Sequence, residues 1–156
     1  MLTEIVNEFD IGSDEFLLEI TESSYTDKSN SKHIVETVKE LREMGFQIEM
    51  DDFSSGYSSL NMLTSMPIDA LKLDMAFVRN ICASEKDHRM IKLMIDIADF
   101  LSVPVIAEGV EYEEQYKLLK EAGCDVIQGY YFSKPVPPAD FEGLIEKDIL
   151  RSQDAE

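Results

Sequence analysis

Acidic side chains lie at the ends of several short apolar runs, and their spacing is typical of metal-assisted chemistry. Four carboxylates share this placement: Glu19, Asp51, Asp52 and Glu108. Adjacent carboxylates repel one another unless a cation or a hydrogen-bond network compensates them. Asp51 and Asp52 at a strand end could bind two cations at about 3.5–4 Å, which together hold an attacking water and a phosphate oxygen. Glu19, at the end of another strand, would face a hard cation from the same rim.

Each of these carboxylates also has a purely structural interpretation. Thr21 and Glu22 could cap the next helix, and the aspartate pair could form an Asx-type turn that leads into residues 54–56. Glu108 is placed either as a general base on a water acidified by metal or as an ordinary capping carboxylate. These alternatives stay open on the residues alone.

Lys72 is the candidate basic residue. It lies between Leu71 and Leu73, so strand alternation places it on the face opposite to these leucines. A lysine inside a barrel mouth is costly without a partner or a role. It could pair with carboxylates, stabilise charge on a phosphate, or form a Schiff base as in an aldolase. Glu49 shares a strand face with Asp51, and we predict it as a neutralising partner of Lys72.

The framework for these side chains is an alternation of strands and helices. Apolar runs predict five strands: Phe16–Ile20, Phe46–Met50, Ala70–Leu73, Val103–Ala107 and Val126–Gln128. Helical spacing predicts four helices: Ser31–Met44, Gly56–Thr64, His88–Leu101 and Glu113–Ala122. Gly45 is the predicted stop of the first. Such alternation favours parallel strands with crossover helices, whose ligands bind at the carboxyl ends of the strands.

The length indicates an incomplete barrel. Eight strand and helix units take about 250 residues, whereas 156 residues supply about five strands. Leu2, Ile5, Val6 and Phe9 have the spacing of the end of an amphipathic helix. We therefore expect one α/β domain over residues 1–156, a partial TIM-type barrel without its N-terminal strands and with a polar tail over 150–156.

Charge and composition exclude several classes of protein. The net charge of −18 disfavours binding to a DNA or RNA polymer, but it is compatible with a phosphate-containing substrate where carboxylates hold divalent cations. No leader or membrane span is visible, so we expect a cytoplasmic protein, whose parent could be tethered through upstream segments. Cys82 and Cys124 are predicted to be reduced, core-type thiols, and Met90 and Met94 to fill the core.

Five ordered motifs resemble the EAL family, the phosphodiesterases that hydrolyse cyclic di-GMP to the linear dinucleotide on a TIM-type barrel. The motifs are Leu17–Ser23, Asp51–Leu60, Leu71–Asp74, Ala107–Glu111 and Gln128–Phe132. The resemblance runs from about Leu2 to Ile149 and implies a bacterial signalling protein. The family's name-giving Glu-Ala-Leu segment and the strand that contributes a metal-binding asparagine have no counterpart in these residues.

The resemblance implies a role for each candidate residue. Glu19, Asp51 and Asp52 would bind Mg²⁺ or Mn²⁺, Lys72 would contact the reacting water or phosphate, and Glu108 would be the general base.

It also implies roles for two further residues. Gln128 would line the same mouth and contact the substrate, and Glu22 would anchor the loop over residues 53–59, which is associated with metal binding and dimer contact. Because two expected metal ligands are absent, we expect little turnover from the isolated chain. We also expect a homodimer or association through exposed barrel edges, and upstream signalling domains in a longer parent.

Two other functions fit the same residues. A degenerate EAL-type domain could sense a nucleotide or mediate dimerisation without catalysis, although such a module has no physical need to hold these charges together. A lysine-dependent aldolase would instead form a covalent bond between substrate and Lys72.

Overall fold

A computed structural model describes residues 2–21, 24, 31–53 and 64–153 of the 156-residue chain. The side chains of residues 3, 7, 14, 31, 52 and 146–153 lie outside that description. Glu22, most of the loop over residues 53–59 and most of the helix predicted over Gly56–Thr64 also fall outside the described residues.

Five strands form one parallel sheet in which chain order and spatial order coincide. They are β1 (Leu17–Thr21), β2 (Gln47–Phe53), β3 (Ala70–Leu73), β4 (Val105–Ala107) and β5 (Val126–Ile127). The prediction of five parallel strands is confirmed, and the strand ends differ from it by three residues at most. Because the order never reverses, the sheet follows the course of a barrel and not that of a doubly wound sheet.

Helices connect and flank the strands. They are α1 (Leu2–Glu8), α2 (Ser31–Glu43), α3 (Met75–Asn80), α4 (Glu85–Leu101), α5 (Glu113–Ala122) and α6 (Pro138–Gln153), with a 3₁₀ turn over Ser13–Glu15. Gly45 has a φ of +94° and its N–H donates to the carbonyl of Arg42, so the predicted stop of α2 is confirmed. None of the helices in the described ranges is long and apolar enough to cross a bilayer.

The sequence prediction of the helices was wrong in three places. Helix α4 begins three residues before the predicted His88, because the Ser84 side chain caps it by accepting a hydrogen bond from the N–H of Asp87. The short helix α3 was not predicted. Helix α6 was not predicted either, and it includes residues 150–153 of the predicted polar tail.

The helices bury an apolar layer against one face of the sheet. Ile48, Met50, Leu71 and Leu73 of the central strands are fully buried in one cluster with side chains of α2, α4 and α5. Burying each such side chain contributes about 1.5–3 kcal/mol. Successive strand residues point to opposite faces of the sheet. The polar residues that alternate with these apolar residues in β2 and β3 therefore point to the other face.

Two residues predicted to be core residues lie at the surface. Met90 is 39% exposed and Cys82 is exposed, whereas Met94 is buried and Cys124 is partly buried. Ile91, Ile95 and their neighbours form the core side of α4. Met90 precedes Ile91 by about 100° around the helix, and therefore points away from that side. Both cysteines are free, as expected for reduced thiols.

Candidate functional site

Lys72 lies at the centre of a cluster of carboxylates. Its Nζ is 2.8 Å from Glu19, 3.2 Å from Glu108, and 3.5 Å from both Glu49 and Asp51. The contact with Glu19 is a hydrogen bond that Lys72 donates to Oε1. The predicted pairing of Glu49 with Lys72 is confirmed by its distance, but the shortest contact is with Glu19.

The register of the sheet brings these residues together. Glu19 of β1 is the partner of Glu49 of β2, and Lys72 lies on the next strand, β3. Glu108 is the first residue after β4. Parallel strands place their carboxyl ends along one edge, so residues far apart in the sequence converge there.

A bulge in β2 lies at the acidic pair. Asp51 and Asp52 together stand opposite the single residue Lys72. The extra residue lets both Met50 and Phe53 contribute to the buried apolar layer. Bulges re-aim side chains and are frequent next to active sites. The sequence prediction assumed a regular strand and missed this feature, because no composition signal marks it.

Burial strengthens the electrostatic contacts of the cluster. Lys72 is 8% exposed and Glu49 is 5% exposed. The hydrogen bond from Lys72 and its positive charge lower the pKa of Glu19. Burial raises the pKa of Glu49, although the charge of Lys72 opposes that shift.

The pKa of Lys72 itself is raised. Burial acts to lower it, but hydrogen bonds to Glu19 and Glu108 and the charges of the surrounding carboxylates outweigh that effect. Lys72 therefore carries its proton throughout the physiological pH range. A Schiff base requires a neutral amine as nucleophile, so this environment disfavours the aldolase chemistry.

The carboxylate cluster has the donor set of a divalent cation site. Four carboxylates face one ammonium, and such an excess of negative charge is costly without further compensation. Carboxylate oxygens are the ligands that Mg²⁺ and Mn²⁺ prefer. Among the side chains that the structure describes, no three acidic, histidine or cysteine groups stand together in a metal-binding arrangement; Lys72 lies between the carboxylates. The side chain of Asp52 is outside that description.

The loops after β4 and β5 are joined by backbone hydrogen bonds. The N–H of Val110 donates to the carbonyl of Gln128 (3.2 Å), and the N–H of Gln128 donates to the carbonyl of Ala107 (2.8 Å). A Cβ on Gly129 would lie 2.2 Å from the carbonyl oxygen of Val110. The close approach of the two loops therefore requires glycine at this position.

A cleft of about 280 Å³ opens beside Glu108, and Gln128 lines it. Met75, Arg79 and Tyr130 also contribute to its walls. Sequence reasoning did not single out Arg79, which belongs to the unpredicted helix α3. Tyr130 lies in the motif Gln128–Phe132, but it was given no role there.

The family model of the EAL domain matches residues 1–135 of this sequence. This chain belongs to the EAL family.

Curated and solved EAL proteins resemble it over most of its length. The cyclic di-GMP phosphodiesterase NbdA of Pseudomonas aeruginosa is 41% identical over 82% of this chain, which spans 16% of NbdA. The PaMucR phosphodiesterase, solved as a c-di-GMP complex, superposes with a TM-score of 0.83 at 28% identity. The superposed region covers 90% of this chain and 56% of the PaMucR chain. Klebsiella pneumoniae BlrP1, solved as a manganese and cy-diGMP complex, has a TM-score of 0.77 at 30% identity. The superposed region covers 86% of this chain and 34% of the BlrP1 chain.

The structure gathers most of the predicted site residues of this EAL domain at one rim. Glu19, Asp51, Lys72 and Glu108 meet in a single cluster, and Gln128 shares a cleft with Glu108. Asp52 lies in the bulge of β2 by its backbone. Glu22 falls outside the described residues.

Proposed function

We propose that this EAL domain belongs to a metal-dependent phosphodiesterase that hydrolyses cyclic di-GMP to the linear dinucleotide. The observation that carries the proposal is the convergence of four carboxylates on Lys72. The relatives support the substrate class, because NbdA is named a cyclic di-GMP phosphodiesterase and PaMucR was solved with c-di-GMP. This chain spans only a part of these relatives. The activity is therefore proposed for a whole protein that contains residues 1–156 as one domain.

Glu19, Asp51 and Asp52 are the proposed ligands of Mg²⁺ or Mn²⁺. A divalent cation supplies a more acidic water and withdraws charge from a phosphate oxygen. Structures of BlrP1 with manganese and with calcium support a divalent ion in this family.

Glu108 is the proposed general base. It follows β4 directly, and its carboxylate is 27% exposed, so a water can reach it. It would take the proton of the attacking water as the bond from that oxygen to phosphorus forms and the opposite ester bond from phosphorus to a ribose oxygen breaks. The leaving ribose oxygen would take up a proton from solvent to give the free hydroxyl of the linear dinucleotide. Lys72, held in its charged form, would offset the negative charge that develops on the phosphate.

Two residues are proposed to act around this centre. Gln128 would bind the substrate from the cleft beside Glu108. Glu22 would anchor the loop over residues 53–59.

Partners and location are part of the same proposal. We infer a homodimer or association through the open edges, where Leu17 of β1 is 44% exposed and Val126 of β5 is 47% exposed. Within the described residues no strand lies beyond β1 or β5, and we expect low turnover by the 156-residue chain alone. We also infer that signalling domains precede this domain in the whole protein. That protein would be cytoplasmic and would not bind a DNA or RNA polymer.

A nucleotide-sensing or dimerisation module without catalysis is the second candidate. The observation that favours it is the tight engagement of Glu19 by Lys72 at 2.8 Å, together with the absence of a three-ligand metal arrangement among the described side chains.

Hydrolysis of cyclic di-GMP with Mg²⁺, Mn²⁺ or EDTA tests the proposal. The assay compares this chain with one extended N-terminally by about 100 residues, the difference from a barrel of about 250. We expect metal-dependent turnover in the extended chain and a loss of at least about a hundredfold in its Glu108→Gln variant. The matched control is Glu113→Gln, which removes an exposed carboxylate paired with Lys117.

Each other outcome selects a different function. Binding of cyclic di-GMP without turnover in either chain would favour the sensing module. Trapping of a substrate on Lys72 by borohydride would favour the aldolase.

A further inference from the structure

Gln115 of helix α5 is a buried polar residue outside the carboxylate cluster. It is 4% exposed, and the only other polar or charged residues buried among those that the structure describes are Glu49 and Lys72. Those two belong to the cluster, where they face each other at 3.5 Å. A buried amide is costly unless both its oxygen and its nitrogen have hydrogen-bond partners. The partners of Gln115 therefore show what its burial achieves.

Both ends of the Gln115 amide are hydrogen-bonded. Its Oε1 accepts from the N–H groups of Glu111, at 2.8 Å, and of Tyr112, at 3.0 Å, where the loop after β4 enters α5. Its Nε2 donates to the carbonyl oxygen of Val78 in the last turn of α3, at 3.3 Å. The first and last turns of a helix leave N–H and carbonyl groups without partners inside the helix. One side chain supplies partners to both kinds of group.

Capping of α5 does not by itself require an amide at this position. In a capping box a glutamate serves equally well as the acceptor, and its negative charge is favourable at the start of a helix. Only an amide can accept from these N–H groups and also donate to the carbonyl of Val78. The feature that glutamine adds is the hydrogen bond between two helices, through residues 37 positions apart.

The groups that Gln115 joins belong to two walls of the cleft beside Glu108. Glu111 lines the cleft from the loop after β4. Arg79, the residue that follows Val78, lines it from α3. The distance between these two walls is therefore tied to one buried side chain.

The wall that α3 forms has a close contact and a charge of its own. A Cβ on Gly109 would lie 2.4 Å from Cγ of Met75, so α3 packs directly on the loop after β4. Arg79 carries the one positive charge among the described residues that line the cleft. A shift of α3 would move the cation that an anionic substrate meets there.

We propose that Gln115 is a positioning residue that fixes the separation of the two walls of the cleft beside Glu108. Its oxygen holds the loop that carries Glu108 and Glu111, and its nitrogen holds α3 with Arg79. The proposal rests on the proposed function in one respect, namely that this cleft binds cyclic di-GMP. The hydrogen bonds that carry it do not depend on that function.

Two substitutions separate the two contacts. Gln115→Glu keeps an oxygen that accepts from the loop, but it places a carboxylate against the carbonyl of Val78. Gln115→Met is similar in size and removes all three hydrogen bonds. Steady-state hydrolysis of cyclic di-GMP by the N-terminally extended chain with Mn²⁺ compares them, and circular dichroism verifies that each variant is folded.

The two variants should differ in kcat and resemble each other in KM. We expect Gln115→Glu to raise KM at least about tenfold and to keep kcat within about threefold, because α3 shifts while the loop with Glu108 stays. Gln115→Met should raise KM similarly and also lower kcat at least about tenfold, because the loop is released as well. An unchanged KM in Gln115→Glu, or an equal kcat in the two variants, would overturn the proposal.

Ser84→Ala is the matched control. Ser84 caps the start of α4 by accepting a hydrogen bond from the N–H of Asp87, and it does not line the cleft. Its removal destabilises a helix start without changing either wall, so kcat and KM should stay at their wild-type values. Changes as large as those of Gln115→Met would show that any lost cap has this effect, and would overturn the proposal.

Hydrogen exchange measured by NMR on the 156-residue chain does not depend on catalysis. The N–H groups of Glu111 and Tyr112 should exchange at least about tenfold faster in Gln115→Met, and no faster than in the wild type in Gln115→Glu. The N–H of Ile81, which donates to the same carbonyl of Val78, should exchange faster in both variants. Unchanged exchange in Gln115→Met would overturn the proposal. Absence of turnover in the wild-type extended chain would refute the proposed function instead, and the exchange rates would then decide the role of Gln115.

Discussion

The two ends of the parallel sheet hold their carboxylates in different ways. At the amino end, Asp69 accepts two hydrogen bonds from Arg42, at 3.0 and 2.6 Å, and a third from the N–H of Ile48 at 3.0 Å. One guanidinium there balances one carboxylate. At the carboxyl end, Lys72 faces four carboxylates. Balanced charge fixes the strands in register, whereas an excess of negative charge is suited to bind a cation.

Cleft volume does not distinguish the two ends. The cleft beside Arg42 and Asp69 has a volume of about 490 Å³, larger than the 280 Å³ of the cleft beside Glu108. The larger cleft is open and its acidic and basic groups balance. Charge excess, and not volume, identifies the candidate site in this domain.

Removing the Lys72 ammonium at the carboxyl end of the sheet should have the largest effect on stability. Lys72→Met leaves four carboxylates close together, of which Glu49 is buried, so we expect the free energy of unfolding to fall by about 3 kcal/mol. Arg42→Met should cost only about 1 kcal/mol, since its side chain is 41% exposed. Urea unfolding monitored by circular dichroism measures both. Equal losses would remove the distinction between the two ends.

Divalent cations should stabilise the carboxyl end alone. At Mn²⁺ concentrations a hundredfold above the dissociation constant, the gain in unfolding free energy is about 2.7 kcal/mol. Asp51→Asn should remove most of this gain. Asp69→Asn is the same substitution at the amino end and should retain it. Thermal unfolding with Mn²⁺ or with EDTA gives the comparison, and a gain that survives Asp51→Asn would place the ion elsewhere.

Truncation of the amino-end carboxylate should affect stability and nothing else. Asp69→Ala leaves the Arg42 guanidinium and the N–H of Ile48 without this acceptor, at a cost of about 1–2 kcal/mol. Urea unfolding measures the loss, and Mn²⁺ titration should show unchanged affinity. A weakened affinity would mean that the two ends are coupled through the sheet.

Glu49→Gln should change stability by less than about 1 kcal/mol. The substitution removes a buried carboxylate whose pKa is raised by desolvation, and Lys72 keeps three carboxylate partners. Urea unfolding beside the Glu113→Gln control measures the effect. A loss above about 2 kcal/mol would show that Glu49 is a principal partner of Lys72 and not a supporting one.

The smallest effect concerns a thiol at the amino end. Burial raises the pKa of Cys124 from 9.0 to about 11. The folded state therefore favours the neutral thiol, and the resulting stability is present below pH 9 and is lost as the pH rises through about 11. Iodoacetamide at pH 8 should modify the exposed Cys82 well before Cys124, as mass spectrometry can measure. Equal rates of modification of the two thiols would show that Cys124, at the amino end of the sheet, is accessible to solvent.

Much of this arrangement could be predicted from local sequence patterns. Alternation along β2 and β3 predicted that Glu49 and Lys72 share a face, and their separation of 3.5 Å confirms it. The shortest contact of Lys72, with Glu19, depends on the register between β1 and β2, which alternation alone does not determine. The bulge at Asp51 likewise arises only when β2 pairs with β3.

Other features depend on tertiary structure from the start. Arg42 and Asp69 are 27 residues apart, and no local spacing relates them. Met90 and Met94 both fit an apolar helix pattern, but only packing on the sheet decides which of them is buried. The motif resemblance supplied the roles of Glu108 and Gln128 in advance, whereas composition and periodicity alone left them open.

The hydrogen bonds between Val110, Gln128 and Ala107 have a mechanical consequence. The loop that carries Glu108 and the loop that carries Gln128 must shift as one body, because neither can slide without breaking the ladder between them. Any residue larger than glycine at position 129 would push both loops apart at once. A single substitution at Gly129 could therefore displace two walls of the cleft together.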